Sequence, residues 1–374
     1  MRAILGVLFP ALAILASSGP AAGGGGEWLY ASEGNRLRRF AIDSIEGGPL
    51  VEDVLVERAS LDPEAGRDIN GMICRVPNGG GRFVAGEDTG QPSPPPGWGV
   101  FAADGSQVGK LTATYRVEGA EPFGCAFDRD GRLFTTEVGN QGFGAAKGQL
   151  ILWFPPYDHF PGPPGAYPDT DAASPNFCKL ATDIGTAGGI AIDADGRVYV
   201  ASASRLAVFR FSPPFPTSPD AVGGCGSKDP LGSPRADRVR REIFVRPRPL
   251  HGLLTYSGLA FAPNGNLYAA SVLTGRIGEF DREGDLVRLV LEPPEWLPPF
   301  STGTPQGLAV DARGTLYYAD LDLVWNGLDV GPGSNGKVWR IAFDSDGKPQ
   351  PPEIVREHLA FPDGLGALPG GSKH

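Results

Sequence analysis

FPDGLGAL (Phe361–Leu368), close to the C-terminus, is the first half of a phrase met twice upstream. The full copies read TYSGLAFAPNGNLYAAS (Thr255–Ser271) and TPQGLAVDARGTLYYAD (Thr304–Asp320). Each full copy runs through a turn into a second apolar stretch, whereas the last copy stops before the turn. A chain that ends on half a repeat needs the other half elsewhere.

The other half stands at the N-terminal end. Apolar runs entered through a Gly motif begin INGMICRV (Ile69), PFGCAFD (Pro122), GGIAID (Gly188), SGLAFA (Ser257), QGLAVD (Gln306) and DGLGAL (Asp363). The first five lead through NGGG, DRDG, DADG, APNG and DARG turns into GRFVAGED, GRLFTTEV, GRVYVASA, GNLYAASV and GTLYYADL. Asp or Asn beside Gly suits a tight hairpin, where the backbone must reach positive φ. Third and fourth β-rich runs follow each hairpin, for example RIGEFDRE and DLVRLVLE, and none holds a 3.6-residue period. The repeat is therefore four strands. Its Gly falls at 71, 124, 189, 258, 307 and 364, spacings of propeller-blade length.

EWLYASEGNRLRRFAID and LVEDVLVER (within Glu27–Arg58) supply a second, third and fourth run with no first run before them. Joined to Phe361–Leu368 they complete a sixth unit. The expected fold is an all-β, six-bladed β-propeller of four-stranded blades over residues 27–369, closed by strands from both ends. Such closure removes the free sheet edges that would pair with other chains. Insertions at about 155–178 and 213–240 leave neighbouring blades after their third strands.

Residues 1–26 read as a secretory signal peptide and Gly-rich lead: one Arg, an apolar run too short to span a bilayer, then small residues. No Cys near the cleavage region offers a lipidation site. A secreted or periplasmic protein without a membrane span is expected, with 370–374 a disordered tail. The four cysteines suit an oxidising compartment. Cys178 and Cys225 end up in equivalent insertions and are expected to pair. Cys74 and Cys125, on adjacent first strands, are left open between thiols and a second bridge.

The formal net charge of −10 makes nucleic acid a poor partner. No nucleotide-binding or redox-cofactor motif occurs, and no G-x-S-x-G nucleophile elbow.

The recurring P-x-G-[ILC]-A-x-D-x-x-G-x-L-[YF] phrase in a six-unit ring resembles the NHL-repeat proteins and the senescence marker protein/gluconolactonase family with its paraoxonase-like relatives. In gluconolactonase-like enzymes, residues just before the first-strand Gly help hold a divalent metal at the channel. That resemblance implies Asp363 and Asn70 as candidate ligands here, with calcium or another divalent cation as the cofactor. Round the ring the matching positions are Asp363, Asn70, Phe123, Gly188, Ser257 and Gln306, none of them Glu. Ser257, Gln306, Asp363 and Asn70 are consecutive and make one side of the channel mouth polar.

Loops after the second strands add Glu33, Glu87, Asp88, Glu137, Asn140 and Asp320 as a candidate acidic rim. His251 and His358 lie just before first strands and are the candidate general bases. Two functions follow. One is a scaffold, expected as a monomer, that binds a small polar molecule, glycan or polypeptide at the mouth and rim. The other is a metal-dependent hydrolase of lactones or esters. The absent Glu favours the first.

Overall fold

The computed structural model describes residues 26–57, 69–88, 96–113, 121–139, 147–167, 172–230, 232–247, 252–326 and 329–368. Residues 1–25 of the expected signal peptide and lead, the expected tail, Asn140 and His251 lie outside the described residues.

Six antiparallel sheets form the ring. Blade 1 orders Leu365–Leu368, Trp28–Glu33, Arg36–Ala41 and Glu52–Glu57 from the axis outwards. Blade 2 is Asn70–Arg75, Phe83–Glu87, Gly97–Phe101 and Gln107–Leu111; blade 3 is Pro122–Phe127, Leu133–Glu137, Gln149–Trp153 and Phe177–Thr182. Blade 4 comprises Ala187–Ile192, Val198–Ser202, Ala207–Ser212 and Arg240–Val245. Blade 5 comprises Tyr256–Phe261, Leu267–Ser271, Arg276–Phe280 and Leu286–Leu291. Blade 6 comprises Pro305–Val310, Leu316–Asp320, Gly336–Ile341 and Glu353–Leu359. The half-repeat is accounted for: Leu365 pairs with Ala31 and Leu368 with Trp28, so head and tail share one sheet. The last strand starts at Leu365, not Phe361: Phe361 has a φ of 49°, outside extended geometry, and Pro362 has no amide hydrogen to give a ladder.

The repeated Gly has a steric cause. The six innermost strands converge on the axis, and each Gly faces the backbone of the next blade. A Cβ added to Gly124, Gly189, Gly258 or Gly307 would stand closer than 3.0 Å to the carbonyl oxygen of Gly188, Ser257, Gln306 or Asp363, respectively. Gly71 meets the Phe123 backbone in the same way, and Gly364 meets that of Gly71, which closes the circle. Real Cβ atoms do not approach so near, so any larger residue would push two blades apart.

The Asp of the repeat also has a local role. Asp128, Asp193 and Asp311 each accept, through Oδ1, the amides two and four residues on: Asp130 and Arg132, Asp195 and Arg197, Arg313 and Thr315. The carboxylate thus supplies the turn's bonds before the second strand begins.

Blades pack face to face through apolar seams. Val84, Trp98, Val100 and Leu111 of blade 2 cluster with Cys125, Leu133, Ile151 and Trp153 of blade 3. The insertions seal outer edges instead of extending the channel mouth. The first, from blade 3, reaches back to blade 2, where Lys110 N donates to His159 O (2.8 Å) and Ser174 N to Thr112 O (2.7 Å). The second, from blade 4, lays Pro234–Arg235 parallel to the outer strand of blade 3 and Ser227–Lys228 beside it. There Lys179 and Asp229 form a buried ion pair (2.7 Å). Covering an outermost strand removes an edge open to intermolecular pairing.

Both disulfides form: Cys178–Cys225, as expected, and Cys74–Cys125. Cα separations of 6.1 and 6.0 Å are ordinary for such bonds. The first ties the second insertion to blade 3; the other bolts the inner strands of blades 2 and 3 together. Closing loops of about 50 residues is worth roughly 4 kcal/mol each in the chain-entropy picture.

Burial raises the acidity constants of several tyrosines. Tyr268 is pushed up to about 12 by desolvation and by the Glu279 charge. Tyr157, Tyr317 and Tyr318 are raised by desolvation too, with Asp311 adding to Tyr317 and Asp320 to Tyr318. An unfolded chain releases these protons near pH ~10, whereas the folded chain retains them. Stability is therefore full below that pH and falls as pH rises through the folded values. In an alkaline titration, ultraviolet tyrosinate absorbance for these residues should rise together with loss of near-ultraviolet circular dichroism. Ordinary titration without unfolding would contradict their burial.

Candidate functional site

Two of the residues preceding the six inner-strand glycines, Ser257 and Asp363, reach across to the next blade. Ser257 Oγ donates to Gln306 O (3.2 Å). Asp363 Oδ1 accepts from Gly71 N (3.0 Å), the amide next to Asn70, and from Ser32 Oγ (2.7 Å). Gly364 N in turn donates to Ser32 Oγ (2.9 Å), and Ser32 N to Gly364 O (3.1 Å). Asp363 therefore latches three segments together: the C-terminal end, the N-terminal strand and the inner strand of blade 2. Ser32 carries the other half of this latch and was not foreseen from sequence.

Asn70 is fully buried, and neither its Oδ1 nor its Nδ2 finds a hydrogen-bond partner. Gln306 Oε1 is buried and unpartnered as well. The polar arc expected over Ser257, Gln306, Asp363 and Asn70 thus exists, with two members satisfied and two carrying idle polar atoms. Phe123 and Gly188, both buried, make the other side apolar.

The acidic rim is corrected in its placement. Glu33, Glu87, Glu137 and Asp320 are not loop residues; each is the last residue of its second strand, at the ring position that Ser202 and Ser271 hold in blades 4 and 5. All six are buried. Glu33 pairs with Arg38 (2.8 Å), and Glu87 with the buried Lys110 (2.6 Å). Asp320 accepts from Thr304 N (2.7 Å), Thr304 Oγ1 (3.0 Å), Asp322 N (2.9 Å) and Trp339 Nε1 (3.1 Å). Ser202 donates to Ile184 O (2.6 Å), and Ser271 Oγ accepts from Leu254 N (2.9 Å). In blades 4 to 6 this position ties down the connection that delivers the inner strand. Asp88, just outside its strand, is half-buried. Strand alternation in the second runs hides this role, because acids beside a turn read as solvated.

His358 lies on the outer strand of blade 6, not on a loop beside the channel. Its side chain is 74% exposed, 3.7 Å from Glu357. The expected general base is therefore a solvent-facing side chain on an outer strand, whereas Asp363 and Asn70 are buried at the inner ones.

The donor set at the arc does not fit a calcium ion. Calcium takes six to eight oxygens, commonly from several carboxylates. Here one carboxylate is present, its Oδ1 already accepts two hydrogen bonds, and the other donors are two carboxamides and a hydroxyl. Among the described residues no group of three or more His, Cys, Asp or Glu is placed to hold a metal. A recess of about 340 Å³ lined in part by Asn78, Arg82, Arg129 and Tyr157 opens at the opposite end of the ring, beside the first insertion. It is remote from the arc.

No protein-family model matches the chain, and no curated protein matches it. Solved structures do. A protein of unknown function from Bacteroides caccae is 14% identical over 92% of this chain and 99% of that one, with a TM-score of 0.50. Virginiamycin B lyase from Staphylococcus aureus is 12% identical, covering 91% and 88%, TM-score 0.49. Regucalcin, a calcium-binding protein from Agrobacterium tumefaciens, is 14% identical, covering 79% and 77%, TM-score 0.46. At such identities the likeness concerns the propeller fold alone.

The latch has a measurable consequence. Asp363→Ala leaves the Gly71 amide unmet, at about 1–3 kcal/mol, and Ser32 Oγ with only its longer bond to Gly364 O (3.3 Å). Its urea midpoint should fall accordingly, Asp363→Asn should recover part of the loss, and Gln306→Ala should stay within about 1 kcal/mol of the parent. Equal midpoints for all three would refute the latch.

Proposed function

We propose that the protein is an exported binding propeller that holds a small polar ligand at the channel mouth, with the Asn70 carboxamide as its central contact. The observation that carries this reading is Asn70 itself. A fully buried side chain with both polar atoms unpartnered forgoes about 1–3 kcal/mol per group unless something meets it. Gln306 Oε1 adds a second waiting acceptor two inner strands away round the arc. The nearby carboxylates are already engaged in latching and pairing, which leaves amide chemistry, suited to recognition, at the mouth.

Export is supported by the two disulfides, which form in an oxidising compartment. Among the described residues no helix is long and apolar enough to cross a membrane. Asp363 serves this reading as a frame residue that fixes the backbone beside Asn70, and no bound cation is required.

The test is a calorimetric and thermal-shift survey of neutral sugars, gluconolactone and small amides, with metal analysis of the purified protein. A ligand at a hundred times its Kd should add about 2.7 kcal/mol of stability. Asn70→Ala should weaken that ligand at least tenfold. Binding unaffected by Asn70→Ala would contradict the proposal, and lactone turnover abolished by chelation would replace it with the hydrolase reading.

A further inference from the structure

Blade 2 departs from the ring's pattern at one row of positions. Where the second strand approaches the channel end, each of the other five blades pairs a small residue with an aliphatic one on the third strand. The pairs are Ser32 with Leu37, Thr136 with Leu150, Ala201 with Val208, Ala270 with Ile277 and Ala319 with Val338. Blade 2 instead pairs Gly86 with Trp98, and Gly86 pairs on its other side with Asn70. Directly paired residues share a sheet face. Asn70 and Trp98 thus flank a residue with no side chain, and a Cβ on Gly86 would collide with Asn70 Oδ1, 2.8 Å away.

That face looks onto blade 3. The same Cβ position lies 3.1 Å from Pro122 O, and Cys74, two rows along, is bonded to Cys125 of blade 3. Pro122 pairs with Glu137, and Glu137 with Gln149. Two rows therefore oppose each other across the seam: Asn70–Gly86–Trp98 and Pro122–Glu137–Gln149. Where blade 6 sets Lys337 opposite its acid, blade 3 sets the uncharged Gln149 opposite Glu137.

Both rows carry idle polar atoms. Besides both of Asn70, Trp98 Nε1 and Gln149 Oε1 are buried without a partner, and Trp98 and Asn70 are each 0% exposed. The set mixes donors (Asn70 Nδ2, Trp98 Nε1) with acceptors (Asn70 Oδ1, Gln149 Oε1). A cation would leave the donors unmet, and an anion would meet the Glu137 carboxylate. A hydroxyl group both donates and accepts, so it answers both halves.

We infer that the seam between blades 2 and 3 is a subsite for a hydroxyl group of a neutral polyol held at the channel mouth, read by Asn70, Trp98 and Gln149. This rests on the channel-mouth reading and extends it sideways from Asn70 into the blade interface. The disulfide between Cys74 and Cys125 holds the two walls of the subsite in register.

Isothermal titration with D-glucose, D-galactose and myo-inositol, against D-gluconate as the charged counterpart, tests it on the full-length protein. At least one neutral polyol should bind saturably, and D-gluconate at least tenfold more weakly. Trp98→Phe and Gln149→Leu should each weaken the neutral ligand tenfold or more; Gln149 is only partly buried, so its variant reads binding if the tryptophan variant folds poorly. Binding lost in Asn70→Ala yet unchanged in Trp98→Phe and Gln149→Leu would overturn the subsite and leave the channel-mouth reading standing. Binding lost in the seam variants and indifferent to Gln306→Ala and Ser257→Ala would keep the subsite and remove the arc. No binding by any of the three neutral probes would mean that only water fills the seam, and would overturn the inference.

Discussion

Six backbones meeting at one axis leave no room for side chains between them, and that steric limit organises the whole ring. Each inner strand brings a Gly against the next blade's backbone, from Gly71 beside Phe123 round to Gly364 beside Gly71. Once the glycines allow the approach, polar residues just before them come within reach of neighbouring strands. Asp363 reaches the Gly71 amide, Ser257 reaches the Gln306 carbonyl, and Asn70 lies over Gly86. The candidate site is thus a by-product of how closely the blades approach. Its side chains are held by the frame and not by mobile loops, which suits recognition of a small, fixed shape.

Closure by both ends of the chain carries its own chemistry. Leu365–Leu368 is a short strand, and four ladder positions alone are a weak seal. Ser32 and Asp363 strengthen it with bonds that also engage blade 2. A carboxylate that the family resemblance casts as a metal ligand therefore serves here as a structural acceptor. The two insertions extend the same logic outward, each returning over the outer edge of the preceding blade, with Cys178–Cys225 fixing the second one.

The blade count, the shared blade and the Cys178–Cys225 bridge were legible because they depend on order along the chain: recurring Gly phrases, a missing first run, and matched insertions. Partners across blades were not. Nothing in GRFVAGED distinguishes Glu87 as a buried partner of Lys110 from a solvated acid, since the lysine arrives from a strand two positions outward. Nor does ADLDLVWNG announce that Leu323–Asn326 and Asp329–Pro332 form an extra hairpin between the second and third strands of blade 6. The seam of Gly86 and Trp98 did leave a trace. It becomes visible once the six copies are aligned on the last residue of the second strand, where blade 2 alone pairs Gly with Trp.

The central claim is that axial crowding, and not turn flexibility, explains the repeated Gly. The most direct measurement is the urea-unfolding midpoint of Gly307→Ala beside that of Gly47→Ala, a position where an added Cβ meets nothing within 4 Å. Gly307→Ala should lose about 1–3 kcal/mol through overpacking of blades 6 and 1, while Gly47→Ala should match or slightly exceed the parent. Equal midpoints for the two variants would contradict the account.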